Sequence, residues 1–272
     1  MVIIEPRRPW SAAELRDLWV YRELLYYLIW RDLKVRYKQT LLGILWVVLQ
    51  PLLMTLVFTV FLGMLVRVPS EGVPYPLFIY AGLLPWTFFS SAVMGSGGSL
   101  VANSHLITKV YFPRVLVPVA AVAARLVDFA VAFVILAGML VYYRVPLTWN
   151  SLALVPLVAL TALLALGCGT LFAALNVKYR DVGILLPVFI QVWTYVSPVL
   201  YPSRLVTDRL GRWGWVYSLN PLVGVVEGLR AALFGRAFDV PALGVSVAFT
   251  FALLASSTYI FRRIERSVAD VI

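Results

Sequence analysis

Cysteine and histidine are almost absent from this chain: its 272 residues include one of each, Cys168 and His105. That excludes a disulfide framework and a thiolate or imidazole metal cluster, so no metal site is expected. Cys168 lies in the apolar stretch LGCGT and reads as a small packing residue. Charge is scarce as well. Only 13% of the residues are Asp, Glu, Lys or Arg, where soluble domains carry about 25%. Also missing are a G-x-x-x-x-G-K-[ST] phosphate loop, an H-E-x-x-H pair, a G-x-S-x-G elbow and any paired acidic cluster. GSGGS at 95–99 has no lysine and sits in an apolar run. The chain shows no means of hydrolysing a nucleotide or activating water, so passage or scaffolding driven from outside the chain is expected. No cofactor is expected on it.

What is abundant is apolar surface. Hydrophobic residues make up 62% of the chain and the mean hydropathy is +0.90, which marks an integral membrane protein. Because about 20 apolar residues cross a bilayer as a helix, spans are expected at about 41–66, 75–98, 115–142, 151–175, 184–200 and 242–261. The fifth is short. A further apolar stretch, 213–235, holds Asn220-Pro221, Glu227, Arg230 and several glycines.

The net charge of +10 would suggest nucleic acid in a soluble chain. Here the basic residues fall mostly at the ends of apolar runs, so they read as topology and no nucleic-acid partner is expected. With six spans, one side carries fifteen Lys and Arg, including Lys109, Arg114, Lys178 and Arg180, and the other carries seven. The positive-inside rule then places both termini and the 103–114 break in the cytoplasm. A seventh crossing at 213–235 would part the basic tail from the basic N-terminal region, so that stretch is expected outside, dipping into the membrane and returning. The N-terminus lacks an apolar run followed by a small-residue cleavage site, and no signal peptide is expected.

Residues 10–38 have a different character. Leu15, Leu18, Trp19, Leu25, Tyr26, Ile29 and Leu33 recur at helical spacing among charges that forbid a span, which predicts an amphipathic helix on the cytoplasmic face. It is either a lipid-surface anchor or also a dock for a partner protein. Arg125 and Asp128, three apart in the third span, share a helix face. A charge at that depth costs about 2.5 to 3.5 kcal/mol. The pair is either a lock between helices or a functional site. Ion-coupled transport would line several titratable groups along a path, and one intramembrane carboxylate is visible.

The blocks RDLKVRYKQTLLGILWVVLQPLL (31–53), LLPWTFF (83–89), NSHLITKVYFPRVLVP (103–118), NVKYRDVGILLPVFIQVWTYVSPVLYP (176–202) and NPLVGVVEGLR (220–230) resemble, in this order, the membrane subunit of ABC-2 type ATP-driven exporters. They look most like the branch that exports lipid-linked polysaccharide such as O-antigen or teichoic acid precursors. The resemblance implies an all-α integral membrane protein with six transmembrane helices, an N-terminal cytoplasmic interface helix and a re-entrant external segment. It also implies a homodimer in the inner membrane, served by two copies of a separate P-loop ATPase that holds the ATP and magnesium.

By that resemblance, 103–114 is a coupling helix seated in the ATPase. Asn103, His105, Leu106, Lys109, Val110, Tyr111 and Arg114 would contact it; Leu106, Val110 and Tyr111 offer an apolar face, and Pro113 is expected to end the helix. Lys178, Tyr179, Arg180 and Asp181 would form a second contact, with Arg31, Asp32 and Arg36 beside both. The first and fifth spans would line a channel past Trp46, Gln50, Gln191 and Tyr195, joined by the deeper rings of Trp86 and Phe88, since aromatic faces let sugars slide. For any one ring, packing in the core or against lipid competes with that role. Asn220, Pro221, Glu227 and Arg230 would build an external gate, unless Glu227 and Arg230 merely neutralise each other near the headgroups. Export of a drug or small lipid is the alternative, with an ion-coupled carrier and a membrane enzyme behind it.

Overall fold

The computed structural model describes residues 19–38 and 43–268, and among these every regular element is helical. The elements are α1 (Arg22–Tyr37), α2 (Leu45–Phe58, continued as π-helix over Thr59–Leu65), α3 (Tyr75–Ala102), α4 (Ser104–Lys109), α5 (Leu116–Tyr142) and α6 (Leu154–Lys178). They are followed by α7 (Val182–Val196), α8 (Ser203–Leu210), α9 (Gly214–Ser218), α10 (Pro221–Phe234) and α11 (Val240–Val268). Residues 10–18 of the expected N-terminal helix, and 41–42 of the first expected span, lie outside the described residues.

Five helical stretches are long and apolar enough to cross a membrane: Leu45–Leu65, Tyr75–Ala102, Leu116–Tyr142, Trp149–Lys178 and Val240–Glu265. The stretch expected to be a fifth span, 184–200, instead forms the 15-residue α7, which is about 22 Å long against a hydrocarbon core of about 30 Å. Ser197 leaves the helix in an extended conformation, ahead of Pro198, which disfavours helical geometry in the residue before it.

α3 is the hub. In its most apolar window 78% of the residues are buried inside the chain, against 11% for α2, and it packs on α2, α5, α6, α7 and α10. Small residues let its neighbours approach closely. A Cβ on Gly169 of α6 would lie 2.4 Å from Ser96 Oγ of α3, while Gly167, two residues earlier, faces Leu253 of α11. Two residues are about 200° apart around a helix, so one pair of glycines serves two interfaces.

α10 shows its start and stop in the sequence. Asn220 caps it by accepting from the Leu222 amide, Pro221 takes the first helical position, and Gly235 closes it in the left-handed conformation at φ 66°. Twelve of its fourteen residues are buried, enclosed by α3, α6, α9 and α11.

α1 does not stand apart from the bundle. Leu28 is buried in one cluster with Leu116, Val117 and Ala120 near the start of α5, and Arg36 reaches Asp128 further along α5. The two helices therefore run side by side in the same direction. Of the expected apolar stripe, Leu25 and Ile29 join that cluster, while Trp19 and Tyr26 face outward and Leu28 carries the deepest contact.

Candidate functional site

Three sites emerge from this packing. At one end of the bundle, α1, α4 and the ends of α3, α5, α6 and α11 share a hydrophobic cluster. Asn103 terminates α3 by donating to the Ser99 carbonyl at 2.8 Å, and α4 follows at once. The expected coupling helix over 103–114 is only six residues long, because Val110 is already extended. Its anchors are Ile107 and Phe112, both buried. In a continuous helix residues five apart point about 140° from each other, so burying both in one cluster requires the chain to leave the helix between them. Pro113 is not what ends α4.

Leu106 is half-buried against the cluster, whereas Val110 is exposed and Tyr111 is 94% exposed. His105 and Lys109 are exposed. Arg114 donates to the Glu265 carbonyl at 3.1 Å, tying the start of α5 to the end of α11. The loop after α6 lies nearby, since Val177 belongs to the same cluster as Ile107. There Lys178 stacks over Tyr179 at 5.1 Å, with Arg180 and Asp181 exposed. Arg31 pairs with its neighbour Asp32 at 2.8 Å.

The second site is centred on Asp128. Arg125 approaches its Oδ2 at 3.5 Å, but the closer partners come from α1: Arg36 donates to Oδ2 and Tyr37 to Oδ1. Burial first, and then the bond to Asp128, raises the Tyr37 phenol above its ordinary pKa, so it remains a proton donor. Arg36, expected at an ATPase contact, is thus engaged inside the chain. The i, i+3 spacing disclosed one partner of Asp128, whereas the two from α1 lie more than ninety residues away and left no local signal.

The third site joins α7 to α10. Asn220 accepts from Trp193 Nε1 at 3.1 Å and donates to Ser197 Oγ at 3.0 Å and the Val196 carbonyl at 3.3 Å. Arg230 has no exposed surface. It donates to the carbonyls of Pro198 at 2.7 Å and Val199 at 2.8 Å and to Glu227 Oε1 at 3.3 Å, while its guanidinium stacks over Phe78 at 3.8 Å. Glu227 also accepts from the Ser203 amide at 2.8 Å. The pair therefore clamps the loop 198–203, so Arg230 is not a headgroup-facing charge. At the same end, and unforeseen in the sequence, Arg236 of the loop after α10 pairs with Glu71 of the loop before α3, and Asn150 donates to the Arg236 carbonyl at 2.8 Å.

The expected channel residues divide. Trp46 and Gln50 on α2, and Gln191 and Tyr195 on α7, lie on exposed faces. Trp86 and Phe88 are 5% and 3% exposed, filling the interior against Phe89 and Phe129 at ring distances of 5.9 and 5.4 Å. These two are core residues of the single chain and present no face to a channel.

Comparison with known sequences decides the family. The model of the ABC-2 type transporter matches residues 23–234, from α1 to the last residue of α10. The chain belongs to the ABC-2 type transporter family. Among relatives of this ABC-2 member, an O-antigen export system permease protein RfbA of Myxococcus xanthus is 31% identical over 95% of this chain and 98% of its own length. A protein of the same name from Klebsiella pneumoniae is 28% identical over 92% and 95%. The polysialic acid transport protein KpsM of Escherichia coli is 26% identical over 88% and 92%. As an ABC-2 chain it is a transporter membrane subunit, and its three sites are contacts between helices, with an exposed rim at α4 and at 178–181.

Proposed function

We propose that this chain is the permease of an ATP-driven exporter that moves a lipid-linked polysaccharide from the cytoplasmic side across the inner membrane. The observation that carries the reading is the near full-length similarity to permeases named for O-antigen export, over 95% of this chain and 98% of the relative. The active unit is a homodimer of six-span protomers with two copies of a P-loop ATPase that supplies ATP and magnesium; α7 counts as the short fifth span. Both termini are cytoplasmic, as the basic residues favour, and α1 is the interface helix.

In this unit α4 and its exposed successors Val110 and Tyr111 form the peg that meets the ATPase, with Lys178 to Asp181 beside it. A six-residue helix anchored by Ile107 and Phe112 directly ahead of α5 can pass a push to that span with little loss. The exposed faces of α2 and α7, carrying Trp46, Gln50, Gln191 and Tyr195, line the path between protomers, where polar groups are cheaper against water than against lipid. α9 and α10 form the re-entrant external gate. The Glu227–Arg230 clamp and Asn220 hold its lower edge to α7.

The test is co-purification of the full-length chain with its ATPase, followed by ATP hydrolysis in lipid and restoration of surface polysaccharide in a strain lacking the chain. Failure to restore the polysaccharide while an ATPase complex forms would point to a different cargo. Absence of any ATPase complex would end the exporter reading.

A further inference from the structure

The Asp128 site does not balance its charge. One carboxylate faces two guanidiniums, those of Arg36 and Arg125, and among the described residues no second carboxylate lies within ion-pair distance of either. Both Asp128 oxygens are already taken, Oδ1 by Tyr37 and Oδ2 by Arg36. Arg125 is left with the longest contact, 3.5 Å, and its Nε has no hydrogen-bond partner among the described residues. One positive charge is therefore uncompensated inside an apolar span, where an unpaired charge is costly.

The surroundings leave access to that charge. The side chains of Arg36 and Arg125 are 28% and 26% exposed, against 14% for Asp128. Beside Arg125, α3 presents glycines. A Cβ on Gly95 would come no nearer than 3.6 Å to Nε, and a Cβ on Gly98, one turn on, would meet nothing within 4 Å. The bare backbone of α3 at Gly95 therefore packs against Nε, which is buried, and the exposed part of the Arg125 side chain lies away from that contact. Depth fits as well. Arg125 is nine residues into α5, about 13 Å along a helix of about 40 Å. Centring that helix on a hydrocarbon core of about 30 Å leaves Arg125 about 8 Å below the headgroups, within reach of an extended arginine.

We infer that Arg125 and Arg36 form a binding site for the phosphate of a net anionic lipid head group, entering beside α3 from the leaflet where α5 begins. Planar guanidiniums match phosphate oxygens in forked geometry, and the anion neutralises the surplus charge that Asp128 leaves. Two lipids carry that chemistry: the diphosphate carrier of the exported glycan, a choice that rests on the export reading, or an anionic phospholipid.

The experiment uses the full-length chain in phosphatidylcholine nanodiscs. Retained lipid is counted by native mass spectrometry after addition of an isoprenoid diphosphate or of phosphatidylglycerol. Wild type is expected to retain either probe well above phosphatidylcholine, and Arg125→Gln to lose about tenfold or more of that retention. Preference for the diphosphate identifies the carrier; equal retention of both probes identifies a structural phospholipid. If the glutamine variant does not fold, Arg125→Lys is read instead, and loss of the fork is expected to lower retention several-fold. No excess over phosphatidylcholine in wild type, or unchanged retention in the folded variant, overturns the site. Because neither ATP nor transport is involved, this result is independent of whether the chain exports polysaccharide.

Discussion

Gly82 and Arg230 occupy complementary space. A Cβ at residue 82 would fall 2.4 Å from Nη2 of Arg230 and 2.3 Å from the Val199 carbonyl that this nitrogen binds. The missing side chain on α3 is what admits a fully buried guanidinium between α3, α10 and the loop after α7. A charge without water is tolerable there because carbonyl oxygens, Glu227 and the face of Phe78 replace its hydration.

Removing that charge is expected to loosen the loop and α10 together. Arg230→Ala leaves the carbonyls of Pro198, Val199 and Tyr201 without this donor and Glu227 with the Ser203 amide alone, and breaking a buried pair costs on the order of 3 to 5 kcal/mol. Gly82→Ala acts in the same direction by overpacking, at about 1 to 3 kcal/mol. Thermal unfolding of the purified protein in detergent reads both, and unchanged midpoints would show that the clamp carries no stability.

Asn220 is expected to matter for closure as well as for stability. Asn220→Ala loses the cap of α10, at about 1 kcal/mol, and leaves Trp193 Nε1 unpaired. Asn220→Asp keeps the acceptor oxygen, reverses the Ser197 contact so that the hydroxyl donates, and loses the bond to the Val196 carbonyl. Resting ion leak through proteoliposomes should rise in the order wild type, aspartate, alanine. No leak in the folded alanine variant would argue against a gate at this edge.

Tyr111 and Phe112 are neighbours with opposite expected behaviour. Tyr111→Ala should change the unfolding midpoint little, since surface changes usually stay within about 0.5 kcal/mol, yet weaken pull-down of the ATPase. Phe112→Ala should cost about 3 to 5 kcal/mol by opening a cavity in the cluster shared with Ile107. Equal ATPase binding by wild type and Tyr111→Ala would remove this residue from the interface.

The contact between Gly169 and Ser96 is testable by compensation. Gly169→Ala forces α6 away from Ser96 and is expected to destabilise by about 1 to 3 kcal/mol. Adding Ser96→Gly frees the space and should recover much of the loss. A double-mutant cycle on unfolding midpoints measures the coupling, and simple additivity would mean that the helices do not meet there.

Much of the fold was legible because it is written locally. Apolar runs such as 115–142 and their polar breaks place α3, α5 and α6 within a few residues of their observed bounds, and Asn220, Pro221 and Gly235 mark both ends of α10 by their own backbone chemistry. The candidate sites were legible only in part. Arg125–Asp128 and Glu227–Arg230 declare themselves by i, i+3 spacing, but Arg36, Tyr37, Gly82 and Ser203 join them from other elements. At α4 the break and its charges were visible, while the anchors Ile107 and Phe112 were not, since helical periodicity puts them on different faces.

By itself, then, the sequence determined a membrane chain of apolar helices in a set order, its topology signals, and the residue blocks that carry the family resemblance. Hydropathy, capping and charge bias act through each segment's own neighbours, so no knowledge of packing is needed to read them. Only the tertiary structure decided that α3 is the hub, that Trp86 and Phe88 are core, that Arg230 is sealed from solvent, and that Asp128 faces two guanidiniums. Those outcomes depend on which residues meet across long stretches of chain. Close packing sets them through small volumes, such as a missing Cβ at residue 82, that leave no period in the sequence.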